Sequence, residues 1–313
     1  MICVLITGAN GFIARHLAKA LLREPQFQIK GAVRCSRNSV VSGIDVVKVG
    51  DLNSSANWGN AVKNVGVIVH AAARVHVIDE KSEDPLTQFR KTNVEGTLHL
   101  ARQASKAGVR RFIFLSTIGV HGAETFDIAF NEHSKPNPVS AYALSKWEAE
   151  EELRELSASS GMEVVIIRPP LVYGQDAPGN YSRLLRLLSS GIPLPLGGIH
   201  NERSFVAIDN LIDLIKTCIT HPAAANREFL VSDDEDMSTT NFARRILNAM
   251  GKKTLLFPLP LSFVKWLGSV SGRTELVRSL FGSLQIDMNT TKTLLSWNPP
   301  VSVDEAIKKS VSP

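Results

Sequence analysis

The chain has 313 residues, of which 44% are hydrophobic and 21% charged, and its 35 basic and 30 acidic residues give a net charge of +5. This composition is ordinary for a globular enzyme and excludes a disordered polar chain. The basic residues are dispersed rather than clustered, so a nucleic-acid partner is not indicated, and the mild positive charge suits an anionic small molecule. The three separate cysteines argue against a disulfide framework and a zinc site, and no bound metal is expected.

Apolar stretches give no sign of membrane insertion. Residues 255–267 are apolar, but Pro258, Pro260 and Lys265 interrupt them and the stretch is too short to cross a bilayer. The chain opens on its first predicted strand, so we expect no signal peptide. These features predict a cytoplasmic protein without membrane insertion.

A glycine-bearing turn stands near the start of the chain. Residues 1–6 form an apolar run typical of a buried strand, and residues 12–23 carry apolar side chains at helical spacing. Gly8 and Gly11 lie between them, and Ala14 is small enough for close packing of helix on strand. Such a turn leaves the helix N-terminus open to an anionic diphosphate. We therefore predict a dinucleotide-binding turn; an ordinary glycine-containing connection is the alternative.

The end of the second predicted strand, residues 28–33, bears on the cofactor. Units that bind NAD usually place a carboxylate there for the ribose hydroxyls. This chain instead continues with Arg34, Cys35, Ser36 and Arg37. Guanidinium groups match phosphate oxygens well, so Arg34 and Arg37 favour the 2′-phosphate of NADP(H). NAD(H) and a merely solvated basic loop are the alternatives.

The order of the remaining elements predicts the fold class. Apolar segments 45–49, 65–69, 111–115 and 164–167 alternate with predicted helices, which indicates a doubly wound parallel sheet of the Rossmann α/β type. In such sheets ligands bind at the carboxyl ends of the strands. Beyond Pro170 we predict helices at 181–188 and 210–220, an extended segment at 203–209, and strands at 229–231 and near 285–287. We expect a cofactor-binding domain at 1–172 and 204–232 and a smaller substrate-binding lobe at 173–203 and 233–313.

Tyr142 and Lys146 are the candidate proton-transfer pair. They are four residues apart in segment 140–153, which should be helical, so they share one face. A nearby ammonium favours the phenolate and is expected to lower the tyrosine pKa from its usual value of about 10. Lys146 can also reach a ribose hydroxyl of the cofactor. Chance spacing on a helix is the alternative.

Two adjacent hydroxyl residues, Ser116 and Thr117, follow the strand at 111–115. Strand alternation places Ser116 on the same face as Phe114 and puts Thr117 on the opposite face. We expect Thr117 to hydrogen-bond the substrate oxygen whose protonation changes. Satisfying the local backbone is the alternative role.

Taken in order, the segments TGANGFIA, GDL, HAAA, NVEGT, LST, YALSK and IIRPPLVYG resemble the extended short-chain dehydrogenase/reductase family, whose members are nucleotide-sugar epimerases, dehydratases and reductases. The resemblance covers nearly the whole chain. It implies a catalytic set of Thr117, Tyr142 and Lys146, and cofactor contacts from Gly8, Gly11, Phe12, Ile13, Asp51, Leu52, Ala71, Ala72, Ala73, Asn93 and Pro169. It also implies that Asn180, Arg203 and Arg278 meet the nucleotide and diphosphate of a UDP-sugar. A homodimer through helices around 95–106 and 141–157 is common in the family.

Departures from the family pattern narrow the expected reaction. The 4,6-dehydratases carry an Asp-Glu pair directly after the catalytic threonine, and Ile118 and Gly119 stand there instead, so dehydration is not expected. An exchangeable NADPH, suggested by Arg34 and Arg37, favours a reductase that delivers hydride to a C4 ketone while Tyr142 protonates the oxygen. Segment 74–120 and the run PLPLGGIHNERSFVAIDNL resemble enzymes of bacterial surface-polysaccharide synthesis that act on UDP-N-acetylhexosamines.

We therefore expect a UDP-4-keto-6-deoxy-N-acetylhexosamine 4-reductase. The first alternative is a 4-epimerase of a UDP-hexose or UDP-N-acetylhexosamine that retains NAD. A non-catalytic NADP-sensing protein and a reductase of small aromatic ketones are further alternatives.

Overall fold

The computed structural model describes residues 1–35, 40–75, 84–260 and 274–312, with only the backbone for 274–276. Arg37, one of the two arginines predicted to bind a 2′-phosphate, lies outside the described residues.

A seven-stranded parallel sheet forms the centre of the molecule. Its strands are β1 (Ile2–Thr7), β2 (Phe27–Val33), β3 (Asp45–Lys48), β4 (Val67–His70), β5 (Arg111–Leu115), β6 (Glu163–Arg168) and β9 (Arg227–Leu230). The order across the sheet is β3-β2-β1-β4-β5-β6-β9, and every pair is parallel. This confirms the predicted doubly wound α/β class. The chain runs outward from β1 to β3 and returns to the other side of β1 at β4, which makes the β1/β4 junction the switch point where such sheets bind ligands.

Eleven helices are described in these ranges. They are α1 (Phe12–Leu21), α2 (Gly59–Val62), α3 (Pro85–Phe89), α4 (Thr97–Lys106), α5 (Ala141–Ser160), α6 (Asn180–Ser189), α7 (Ile208–Thr220), α8 (Thr239–Ala249), α9 (Thr274–Phe281), α10 (Asn289–Leu295) and α11 (Val303–Val311). A π-helical turn, Arg90–Gly96, joins α3 to α4, and 3-10 turns occur at Ile118–Val120 and Pro222–Ala224. None of the helices in the described part of the chain has the length and apolar character needed to cross a membrane.

Helix α5 is longer than the sequence predicts. Ser140 caps its start by accepting a hydrogen bond from the Ala143 N–H at 3.1 Å, as its position suggests. The helix extends beyond the predicted segments 140–153 and 141–157 to Ser160, and the next residue, Gly161, takes the left-handed conformation (φ 73°). Glycine has no Cβ to oppose that conformation, so it ends the helix.

Three buried cores hold these elements together. Alternate residues of β1 divide between two of them: Val4 and Ile6 pack with α1 and α7 on one face, and Leu5 packs with α4 and α5 on the other. The third core lies outside the sheet and includes Tyr173 and Phe242. It joins a small parallel pair, β7 (Leu171–Tyr173) and β8 (Phe205–Ala207), to α6, α8 and α11.

The strand predicted near 285–287 is replaced by isolated β-bridges. Leu284 forms a single bridge with Arg203, and Ile286 forms one with Phe130. The Ile286 bridge ties the connection between β5 and α5 to the C-terminal part of the chain. The division into two domains at the predicted boundaries stays a prediction.

Candidate active site

The turn after β1 is shaped to receive a phosphate group. Gly8 has a φ of +63°, and a Cβ there would lie 3.0 Å from the Ala72 Cα, while a Cβ on Gly11 would lie 3.0 Å from the Gly8 carbonyl oxygen. Gly11 precedes α1 without any side-chain cap, so the N–H groups of Phe12 and Ile13 begin an uncapped helix. The close approach of the backbone thus requires glycine at both positions, and the uncapped start of α1 fits the diphosphate of a dinucleotide.

A buried hydrogen-bond chain fixes the switch point. Thr7 and His70 are register partners on β1 and β4. The His70 Nδ1 atom lies 2.8 Å from the Thr7 hydroxyl, and Nε2 lies 2.9 Å from the Thr97 hydroxyl. Burial, with Lys146 nearby, lowers the pKa of His70 to about 3, so its ring is neutral. Thr7 also accepts a hydrogen bond from the Ala72 N–H at 3.1 Å, which holds the predicted cofactor wall (Ala71, Ala72 and Ala73) at the end of β4.

At the ends of β2 and β3 the structure pairs two predicted cofactor residues with each other. The Arg34 Nε atom lies 3.8 Å from a carboxylate oxygen of Asp51, and their side chains are 75% and 73% exposed. Leu52 packs closely on the π-helical turn, where a Cβ on Gly96 would lie 2.8 Å from the Leu52 Cγ. Arg34 therefore lies directly after β2, as its place in the sequence predicts, but the Asp51 carboxylate partly neutralises its charge.

The buried Asn93 side chain links two segments of the chain through hydrogen bonds. It lies in the π-helical turn, and its Oδ1 accepts a hydrogen bond from the Arg74 N–H at 2.8 Å. Its Nδ2 donates to the Arg74 carbonyl and to the Ser145 hydroxyl, both at 3.0 Å. The side chain thus joins the segment that follows β4 to the helix that carries Tyr142.

The two hydroxyls that follow β5 have different hydrogen-bond partners. Thr117 is half-buried, and its hydroxyl accepts a hydrogen bond from the Gly119 N–H at 3.2 Å. The following turn is held by a 3.0 Å hydrogen bond from the Ile118 N–H to the carbonyl of the buried Pro169. A Cβ on Gly119 would lie 3.5 Å from that of Ala143, so the turn packs against the start of α5. Ser116, on the opposite face, is buried and donates to Glu150.

Tyr142 and Lys146 share a face of α5, but their ionisation differs from the expectation. The half-buried Tyr142 ring stands edge-on to Phe89, with 6.1 Å between ring centroids. Desolvation raises the pKa of Tyr142 to about 12 and lowers that of Lys146 to about 7. The Lys146 Nζ lies 3.8 Å from the centroid of the Phe114 ring. The prediction that Tyr142 has a lowered pKa is wrong, because desolvation of the phenol raises it.

Behind Lys146 lies an ionic network that the sequence analysis missed. Arg168 on β6 is 1% exposed and donates to both carboxylate oxygens of Glu150, at 3.1 and 2.5 Å. Its Nη1 lies 2.9 Å from the His121 Nε2, and its Nη2 lies 2.8 Å from Glu228. The outer side of the network meets a cleft of about 1070 Å³, which Trp147 also lines. Neither Gly8 nor Tyr142 lines this cleft, so its size alone does not mark the active site.

The predicted diphosphate residues come together around an unexpected carboxylate. Arg203 is largely buried and donates to the Gly282 carbonyl at 2.7 Å. Burial lowers the Arg203 pKa, and Glu124 acts against that shift. The Arg278 Nε atom lies 3.9 Å from the Glu124 carboxylate. Asn180, by contrast, is exposed at the first position of α6.

Residues 4–232 match the family model described as the NAD dependent epimerase/dehydratase family. The chain belongs to this family. It is therefore an NAD(P)-dependent enzyme of the extended short-chain dehydrogenase/reductase type, as its ordered motifs predict.

The relatives of this chain include proteins with 4-epimerase names. A "UDP-glucose 4-epimerase" from Vibrio cholerae is 44% identical over 309 residues, which cover 98% of this chain and 94% of that protein. An "N-acetyl-alpha-D-glucosaminyl-diphospho-ditrans,octacis-undecaprenol 4-epimerase" from Escherichia coli O157:H7 is 26% identical, over 83% of this chain and 77% of that protein.

Solved structures confirm the fold. A UDP-glucuronic acid 4-epimerase from Bacillus cereus, in complex with UDP-glucuronic acid and NAD, superposes with a TM-score of 0.80 at 20% identity, covering 99% of this chain and 98% of that one. A UDP-N-acetylglucosamine 4-epimerase from Methanobrevibacter ruminantium, in complex with UDP-N-acetylmuramic acid, gives a TM-score of 0.80 at 18% identity, covering 99% and 97%. The family description names NAD, and the expected preference for NADP finds no support among these relatives.

Proposed function

We propose that the protein is a 4-epimerase of a UDP-hexose or UDP-N-acetylhexosamine that keeps NAD bound between turnovers. The observation that carries this proposal is the 44% identity to a UDP-glucose 4-epimerase over nearly the full length of both chains. Ile118 and Gly119, which follow Thr117, supply no acid or base for eliminating water, so a dehydratase is disfavoured.

Each active-site residue has a defined task in this proposal. A bound NAD would supply hydride chemistry at sugar C4 in both directions. Tyr142 Oη takes the proton from the sugar O4 and later gives it back. The Thr117 hydroxyl, which the Gly119 N–H orients, hydrogen-bonds the same oxygen. Lys146 in its ammonium form favours the phenolate and so opposes the effect of burial on Tyr142.

The outer lobe, residues 173–203 and 233–313, supplies the proposed nucleotide-sugar site. Arg203 and Arg278 lie near one another around Glu124, and their guanidinium groups suit a diphosphate. Asn180 is an exposed side chain at the start of α6, available to a nucleotide. We propose that residues 173–203 and 233–313 hold the UDP-sugar over the cofactor.

A 4-reductase is the second candidate, and one observation favours it. Arg34 directly follows β2, where an acid for the ribose hydroxyls of NAD would stand. An enzyme that exchanged NADPH at each turnover would reduce a UDP-4-keto-6-deoxy-N-acetylhexosamine. The carboxylate of Asp51 beside Arg34 weakens this reading, because it reduces the positive charge offered to a 2′-phosphate.

Product analysis without added cofactor separates the two candidates. Purified protein is incubated with UDP-glucose and, separately, with UDP-N-acetylglucosamine, and the UDP-sugars are resolved by chromatography. The nucleotide released on denaturation is identified in the same preparation. An epimerase forms the C4 epimer and releases NAD. NADPH consumption with the 4-keto sugar, and no epimer from either substrate, would instead establish the reductase and overturn our proposal.

A further inference from the structure

Glu150 is a fully buried carboxylate one helical turn beyond Lys146. Its side chain is 0% exposed. Residues at i and i+4 share a helix face, so Tyr142, Lys146 and Glu150 form one row along α5. The first two have proposed roles in proton transfer, and the third has none yet.

The Glu150 carboxylate is rigidly held. Ser116 donates its hydroxyl to one oxygen, and Arg168 donates to both, at 3.1 and 2.5 Å. Arg154 contacts the second oxygen at 3.2 Å. Burying a charged group is unfavourable in free energy unless the group is paired and hydrogen-bonded, and here several donors offset that penalty. These donors therefore fix the direction of the carboxylate.

Lys146 is in an environment that opposes its charge. It is 1% exposed, and its Nζ stands over the Phe114 ring. Burial lowers the pKa of this amine to about 7, and Glu150 acts in the opposite direction. Burial and the Glu150 carboxylate thus act in opposite directions on the charge of Lys146.

We propose that Glu150 is a positioning residue that keeps Lys146 in its ammonium form, with Ser116 and Arg168 fixing the carboxylate for that task. The inference rests on the proposed proton-transfer role of Lys146. It also gives the two hydroxyls after β5 complementary functions: Thr117 faces the substrate, and Ser116 supports the lysine from behind.

Other ionisable groups around this row come from several elements, and none replaces Glu150. They are His70 at the end of β4, His121 after β5, Tyr142 and Arg154 on α5, Arg168 on β6 and Glu228 on β9. His70 is neutral, and burial with Arg168 nearby lowers the pKa of His121 to about 4. Glu228 pairs with Arg154 and Arg168, at 2.5 and 2.8 Å.

The decisive experiment measures the ionisation of Lys146 directly. Protein labelled with ¹³C at lysine Cε is titrated by NMR without added substrate, and Lys146→Met assigns the signal. Glu150→Gln is expected to lower the Lys146 midpoint by roughly 1 pH unit, the effect of removing a close opposite charge. Glu151→Gln, the exposed neighbour on the same helix, is the matched control and should leave the midpoint unchanged. An unchanged midpoint in folded Glu150→Gln would overturn the inference.

A second variant and a kinetic readout separate positioning from simple stabilisation. Glu150→Asp keeps the charge, so its Lys146 midpoint is expected to stay close to that of the wild type. This comparison remains possible even if Glu150→Gln does not fold. A Lys146 midpoint in Glu150→Asp that falls by roughly 1 pH unit would contradict the inference. In turnover assays, Glu150→Gln should move the alkaline limb of the pH profile to lower pH and recover activity in mild acid. A purely structural role would reduce turnover equally at every pH. The NMR titration needs no substrate, so it remains valid even if the proposed epimerase reaction is wrong.

Discussion

Arg34 and Asp51, from the ends of two neighbouring strands, form an exposed ion pair at the edge of the proposed cofactor site. Their closest charged atoms are 3.8 Å apart. An exposed pair at this separation is weak and adapts readily to a bound ligand. The pair nevertheless places a negative charge beside the cation that would otherwise favour a 2′-phosphate.

Replacing Asp51 with asparagine should shift cofactor preference toward NADP. The change leaves the Arg34 charge uncompensated, so the ratio of NADP to NAD affinity is expected to rise several-fold. Titration calorimetry of cofactor-free protein with each dinucleotide measures this ratio. Any lost contact with the adenine weakens the binding of both cofactors equally and leaves the ratio unchanged. Arg34→Gln is the opposing control and should lower the ratio. A ratio unaffected by either variant would mean that the pair lies away from the ribose.

Removal of the Tyr142 hydroxyl should abolish most of the turnover and leave the cofactor bound. General acid–base groups contribute about 10²–10⁴-fold to rate, so Tyr142→Phe is expected to lose activity in that range. The quantity of nucleotide released on denaturation should match that of the wild type. Substantial retained turnover with either UDP-sugar would exclude Tyr142 as the proton-transfer group.

The free protein should resist ionisation of Tyr142 at high pH. Burial raises its pKa from 10 to about 12, so the tyrosinate absorbance of the folded protein should grow in well above pH 10. Because the folded pKa lies above the unfolded one, the contribution to stability is complete below pH 10 and is lost as the pH rises through about 12. The difference between wild-type and Tyr142→Phe titrations isolates this residue from Tyr173 and Tyr181, whose pKa values burial also raises. A midpoint near or below 10 would restore the original expectation.

Glu124 should act as a competitor for the diphosphate. Its carboxylate faces Arg203 and Arg278, so Glu124→Gln is expected to strengthen UDP binding several-fold and to make that binding more sensitive to salt. Calorimetric titration with UDP at two ionic strengths measures both effects. Arg278→Gln should weaken binding in the same assay. Weaker binding in Glu124→Gln would show instead that the carboxylate orients the arginines.

Local signals in the sequence were enough to predict the parallel sheet and the turns and helices that carry the candidate site residues. Gly8 and Gly11 mark the turn because a missing Cβ permits the approach of Ala72 to Gly8 and of the Gly8 carbonyl to Gly11. The spacing of Tyr142 and Lys146 places them on one helix face. Contacts between distant segments were not predictable in this way. The pairs Thr7–His70 and Glu150–Arg168 depend on sheet register and on the packing of α5 against β6. The ionisation of Tyr142 and Lys146 depends on burial, which spacing alone does not reveal.

The arrangement of α5 has a consequence for engineering this enzyme. One rigid helix carries Tyr142, Lys146 and Glu150, while the residues proposed to recognise the nucleotide sugar come from the outer lobe. A directed-evolution library confined to the outer lobe would therefore vary substrate recognition without moving the proton-transfer groups relative to one another. New sugar specificities could then be selected on a catalytic helix that stays the same throughout.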